Sequence, residues 1–230
     1  MTHTADQPGP LQRIVVLASG EGTNLQSIID ACTAGAINGN VVGVVSNNPS
    51  SGALRRAQHH DIATNVVAKL TDESRQLFDA RLADAVWVFQ PDWVVLAGFM
   101  CILSDTFISR FTVSQHTVSH DVAPSRIINL HPAAPGQLPG RNAIERAFAE
   151  AQTGSRVRSG AMVHYVDSEG VDCGPVIISV IVPILASDTL EVFSARMHHH
   201  EHELLVTALQ QICRQPHQPA VSRSIKEPMS

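Results

Sequence analysis

Cysteine is scarce and scattered in this sequence. The four residues Cys32, Cys101, Cys173 and Cys213 form no C-x-x-C pair, so neither a zinc site nor a disulfide framework is indicated, and buried free thiols are expected. Lysine is scarcer still. Lys69 and Lys226 are the only two, and neither follows a glycine-rich stretch, which removes a P-loop. Positive charge is not in excess: the formal net charge is -5, which argues against a general nucleic-acid surface. No apolar run is long enough to span a bilayer, and the first residues, MTHTADQPGP, lack the charged-then-apolar pattern of a secretory signal, so a cytoplasmic protein is expected.

What is present fits a soluble α/β domain. The 230 residues are 44% hydrophobic and 16% charged, enough for one large domain with a sizeable core. Apolar β-branched runs at 13–19, 41–47, 63–68, 92–98 and 126–131 alternate with helical patterns at 23–35, 52–60, 72–89 and 142–154. That alternation predicts a mostly parallel central sheet with helices on both faces. The helix over 72–89 is expected to begin with an acidic first turn. Residues 104–126 are polar and read as a long excursion after a short helix. Near the end, 160–170 and 175–184 predict an antiparallel strand pair, and 189–213 a long amphipathic helix. One domain over 12–214 is expected, with 1–11 and 215–230 as flexible tails.

Two local patterns carry chemistry. The stretch S-G-E-G-T-N-L (19–25) joins the first strand to the first helix, where glycines and a helix N-terminus suit a phosphate. It is not the dinucleotide fingerprint, because Leu25 stands where a third glycine is required. A plain tight turn with Thr23 or Asn24 as helix cap is the competing explanation. The second pattern is I-I-N-L-H-P (127–132). Strand residues two apart share a face, so Asn129 and His131 point the same way at a strand's carboxyl end, where ligands of open α/β sheets bind. Histidine can take and give a proton near neutrality, and an Asn amide can donate to a developing oxyanion. Downstream, Asp172 precedes a glycine turn, and a carboxylate near His131 is expected to raise its pKa.

Taken together, R-I-V-V-L-A-S-G-E-G-T-N-L-Q (13–26), V-V-L-A-G-F-M-C-I-L-S (94–104), N-L-H-P-A (129–133), M-V-H-Y-V with V-D-C-G-P-V-I (162–177) and H-H-H-E-H (198–202) resemble one family, the phosphoribosylglycinamide formyltransferases. The resemblance runs from about residue 13 to about residue 210 and looks more like the fungal members than the compact bacterial ones. It implies the Rossmann-like formyltransferase fold. It also implies transfer of the formyl group of 10-formyltetrahydrofolate to the amine of phosphoribosylglycinamide in purine synthesis. It assigns catalysis to Asn129, His131 and Asp172, the substrate phosphate to Gly22, Thr23 and Asn24, and the substrate ribose to Glu201. Folate contacts fall on Arg75, Met100, Cys101, Ile102, Leu103 and Val171. The D-S-E-G-V-D turn (167–172) is one residue longer than usual, which bears on folate binding. The resemblance implies no metal, no nucleic acid and no membrane, with small-molecule partners and a monomer or homodimer. Although His198 and His202 are spaced i, i+4, H-E-x-x-H is absent. Two other functions share the pattern: a 10-formyltetrahydrofolate hydrolase, in which water attacks, and a non-catalytic α/β ligand-binding protein.

Overall fold

The computed structural model describes residues 10–112, 125–167 and 170–214. Seven strands form one sheet in the order β3-β2-β1-β4-β5-β6-β7. These are β1 (Gln12–Leu17), β2 (Gly39–Ser46), β3 (Thr64–Val66), β4 (Trp93–Leu96), β5 (Ile127–His131), β6 (Arg158–Tyr165) and β7 (Val176–Pro183). The first five pair in parallel, and β6 and β7 run antiparallel, as the sequence predicts. The order reverses between β1 and β4, since the chain first winds outward to β3 and then returns to the other side of β1. That reversal opens a crevice at the carboxyl ends of the parallel strands.

Both faces of the sheet are covered, which explains the continuous apolar runs of the central strands. On one face Ile14, Val16, Val95, Ile128 and Val163 pack with helices α1 (Thr23–Thr33), α2 (Gly52–His59), α5 (Ala143–Gln152) and α6 (Leu190–Ile212). On the other, Val15, Leu17, Val94 and Ile127 pack with α3 (Arg75–Trp87) and the short α4 (Asp105–Ile108). Among the described residues, no helix is long and apolar enough to cross a membrane.

Two local expectations change, the start of α3 and the length of β3. Helix α3 begins at Arg75 with Ser74 as its cap, so Asp72 and Glu73 precede it and its first turn holds no acid. Asp72 has φ 59, and Glu73 turns back to accept from Leu70 N and both forks of Arg81. Strand β3 keeps only Thr64–Val66 of the expected 63–68. The 104–126 excursion begins as α4 and a single 3-10 turn, with Thr112 bridging Ser125, while its residues 113–124 lie outside the described residues. So do the terminal segments 1–9 and 215–230, on which the tail expectation mostly falls.

Candidate active site

The β1–α1 loop owes its shape to one glycine. Gly22 is the N-cap of α1 at φ 75, and no side chain caps the helix, so neither Thr23 nor Asn24 plays that part. A Cβ at Gly22 would stand 2.6 Å from Ala53 Cα, so any side chain there would push α2 away. The first-turn amides of α1 are thus left without a side-chain partner, which is the condition for anion binding. Asn24 lines the cavity described below, and its Oδ1 is buried without a hydrogen bond. Ser19, at the end of the same loop, ties the crevice together. Its backbone N–H donates to Gly98 O, its hydroxyl donates to Asn47 Oδ1 at 2.6 Å, and Met100 N donates to that hydroxyl at 2.8 Å.

The strand alternation at β5 is realised. Asn129 and His131 both turn toward Asp172, which the β6–β7 turn folds back over the sheet. Asp172 stands at φ 56, a strained backbone for a non-glycine residue. Its Oδ1 accepts from Asn129 Nδ2 at 3.0 Å, and its Oδ2 accepts from Gly140 N at 2.8 Å and lies 3.3 Å from His131 Nδ1. The turn itself depends on Gly174, where a Cβ would lie 1.9 Å from Tyr165 O. Gly174→Ala is therefore expected to cost about 1–3 kcal/mol and to displace Asp172, read as a lower denaturant midpoint together with lost activity.

His164 was not among the residues singled out from the sequence, yet it completes the cluster. It faces Asn129 across the β5–β6 ladder, and its Nε2 lies 3.1 Å from Asn129 Nδ2 and 3.6 Å from Asp172 Oδ1. Its Nδ1 donates to Tyr165 O at 2.8 Å, which leaves Nε2 to accept from the Asn129 amide. Both N–H groups of Asn129 are then committed, one to His164 and one to Asp172. Rotating the amide would set its oxygen against a carboxylate, so the observed orientation is the stable one.

His131 is 4% exposed. Its Nε2 lies 3.0 Å from Leu138 O, which also accepts from Arg146 Nη2 at 2.7 Å, so α5 pins the 132–142 loop over the imidazole. Burial pushes the His131 pKa below its usual 6.5, against the pull of the Asp172 charge and the Leu138 carbonyl. The expected upward pull of the Asp172 carboxylate is present, but desolvation outweighs it and the net direction is down. Asp172 moves the other way overall. Burial pushes it up, but contact with His164, the Gly140 N–H and the charge of His131 outweigh that and hold it below the usual carboxylate range.

A cavity of about 530 Å³ adjoins this cluster at the crevice between β1 and β4. Asn24, Met100, Cys101, Ile102, Leu103, Val171 and Glu201 all line it, together with Asn129, His131, His164 and Asp172. Arg75 does not. It lies 3.5 Å from the buried Asp79, which also accepts from Ser104 N. Arg141 lines the cavity instead and donates to Met100 O, joining its two rims; nothing in its sequence surroundings marked it. Cys101 accepts from Asn47 Nδ2 at 3.2 Å, and burial pushes its thiol pKa up, which suits a packing role better than a nucleophile. Residues 168–169 of the 167–172 turn lie outside the described residues. Among the described residues, no cluster of three or more His, Cys, Asp or Glu could hold a metal ion.

Comparison with known proteins agrees with this architecture. A family model described as formyl transferase matches residues 12–209. A phosphoribosylglycinamide formyltransferase of Dictyostelium discoideum is 40% identical over 204 residues, covering 85% of this chain and 95% of its own. One from Schizosaccharomyces pombe is 40% identical over 208 residues, covering 86% and 96%. The crystal structure of glycinamide ribonucleotide transformylase 1 from Symbiobacterium toebii superposes with a TM-score of 0.79 at 32% identity, covering 92% of this chain and 93% of its own. Sheet order, crevice and sequence kinship converge, and the chain belongs to the formyl transferase family, among the phosphoribosylglycinamide formyltransferases.

Proposed function

We propose that this chain, acting in the cytosol as a single domain over 12–214, moves the formyl group of 10-formyltetrahydrofolate onto the amine of phosphoribosylglycinamide. The observation that carries the reading is the meeting of Asn129, His131 and Asp172 on the wall of a cavity of about 530 Å³, within the size range of small-molecule sites. The relatives' names supply the acceptor. The amine nitrogen attacks the formyl carbon, a C–N bond forms, and the carbonyl oxygen becomes an oxyanion. The bond from that carbon to N10 then breaks, and the proton lost by the amine goes to N10. His131 carries the proton, and Asp172 orients the imidazole through Nδ1. Asn129 braces Asp172 in the resting site, and it donates to the oxyanion by giving up its bond to His164. The open N-terminus of α1, at Gly22, Thr23 and Asn24, takes the phosphate, and Glu201 the ribose. The folate lies along Met100, Cys101, Ile102, Leu103 and Val171, with its acidic tail toward Arg75.

The deciding experiment follows 10-formyl folate by absorbance with and without phosphoribosylglycinamide. Deformylation that requires the acceptor is expected. Equal deformylation without it would identify the hydrolase, and none in either case would leave a binding protein.

A pH profile tests the proton carrier. With its pKa held below 6.5, His131 is neutral at pH 7 and able to accept a proton. The acid limb of kcat/KM for the folate is thus expected below 6.5, since activity falls as His131 becomes protonated. The Asp172 charge raises the His131 pKa, so the residual activity of Asp172→Asn should fall off at still lower pH. A limb above 6.5 contradicts the assignment.

A further inference from the structure

The cavity wall from Met100 to Leu103 belongs to no helix or strand. It is also apolar, and two of its side chains, Met100 and Ile102, are exposed. Cys101 and Leu103 pack inward against the core beneath. No sheet ladder fixes such a segment, so its shape depends on where its backbone hydrogen bonds go. At the near end Met100 N donates to the Ser19 hydroxyl, and Met100 O accepts from Arg141. In the middle Cys101 Sγ accepts from Asn47. The far end rests on α3, where Asp79 Oδ2 accepts from Ser104 N at 2.7 Å.

Asp79 is a costly group to use as an anchor. Its side chain is fully buried, and a carboxylate leaves water at a penalty unless it is paired and hydrogen-bonded. Arg75, one turn back on α3, supplies the counter-charge, with Nε 3.5 Å away. Even so, Asp79 Oδ1 is buried without a hydrogen bond among the described residues, and so is Ser104 Oγ. Ser104 is the N-cap residue of α4, yet its hydroxyl makes no capping bond. The side-chain hydrogen bond that holds the junction of wall and helix therefore comes from Asp79. Asp79 does not line the cavity itself, so whatever it does for a ligand it does through Ser104.

Resting on the function proposed above, we infer that Asp79 is a positioning residue for the formyl donor: from behind the wall it fixes the backbone N–H of Ser104, and with it the line of Met100–Leu103 along which the folate lies. Arg75 serves this arrangement as the counter-ion that keeps Asp79 charged in the interior.

The test compares Asp79→Ala and Asp79→Asn with the wild type in the full chain. Alanine leaves Ser104 N–H without its acceptor, and should weaken binding of 10-formyl folate by about tenfold to a hundredfold, the worth of a hydrogen bond to a charged group. Asparagine keeps a neutral acceptor of the same size. A neutral bond is about half as strong, so Asp79→Asn should bind the folate only about threefold to tenfold more weakly. In turnover the loss should fall on KM for the folate. The dissociation constant of phosphoribosylglycinamide, measured without folate, should stay within about twofold, because uniform binding of that substrate is untouched. That constant also reports whether a variant is folded, since a general loosening of the domain would weaken both ligands. A 10-formyl pteroate lacking the glutamate tail should lose at least as much affinity as the full donor, because the wall is disturbed and not the partner of the tail. If Asp79→Asn and Asp79→Ala both match the wild type in folate affinity, if Asp79→Asn weakens both substrates equally, or if the loss disappears with the pteroate, the inference is overturned while the formyl transfer stands. If the wild type binds no folate at all, the functional reading fails, and this one with it.

Discussion

His131→Ala is expected to lower kcat by about 10²- to 10⁴-fold, the range a positioned acid–base group contributes. No neighbour can take over the proton. Asp172 is held below the usual carboxylate range and is a poor base, and His164 has one nitrogen committed to Tyr165 O and the other to Asn129. His131 is almost fully buried, so alanine leaves a void under Leu138, and a size-conserving His131→Gln should accompany it. Gln fills the space and can still donate to Leu138 O, but cannot relay a proton at neutral pH. Both variants should bind a folate analogue with near-normal affinity, measured by fluorescence quenching, while single-turnover transfer collapses. Turnover within about threefold of the wild type in either variant would remove His131 from the mechanism.

Asp172→Asn should cost about a thousandfold in turnover, between the worth of one oriented donor and that of a full acid–base group. The carboxylate is an acceptor on every side: toward Asn129 Nδ2, toward Gly140 N and toward His131 Nδ1. An amide of the same size must turn its NH₂ toward one of those donors. Either Asn129 swings away or the 132–142 loop loses its anchor at Gly140, and His131 loses the charge that favours its imidazolium. The unsatisfied contact should also lower stability by about 1–3 kcal/mol, seen in the denaturant midpoint. Asp172→Glu separates charge from placement. It keeps the anion but lengthens the arm from a backbone fixed at φ 56, so activity should stay low. Full activity in Asp172→Glu would show that charge alone suffices.

Much of this arrangement was legible in the sequence, because it rests on short-range rules. Period-two alternation places Asn129 and His131 on one face, and the apolar runs give the parallel half of the sheet. The antiparallel β6–β7 pair follows from two β-rich runs flanking a glycine turn. Other features are set by contacts that no local pattern encodes. His164 enters through the register of β5 against β6, which pairs it with Asn129. The direction of the His131 pKa depends on a loop held down by Arg146 from the following helix. Helix α3 starts late because Ser74 caps it, while Glu73 is drawn to Arg81. Arg75 had an i, i+4 partner in plain view at Asp79, and that pair forms beside a cavity whose rim is joined by Arg141.

The Leu138 carbonyl on His131 Nε2 has a consequence for inhibitors. The free protein carries its own competitor, covalently tethered and therefore always present at high effective concentration. A compound that reaches for Nε2 has to outcompete a peptide carbonyl that Arg146 also holds in place, and its measured affinity is diminished by that occupancy. A compound that stays along Met100–Leu103 and Val171 meets no such rival. Affinity gained at that wall should carry over into potency undiminished, whereas polar groups aimed at the imidazole should return less than their contacts promise.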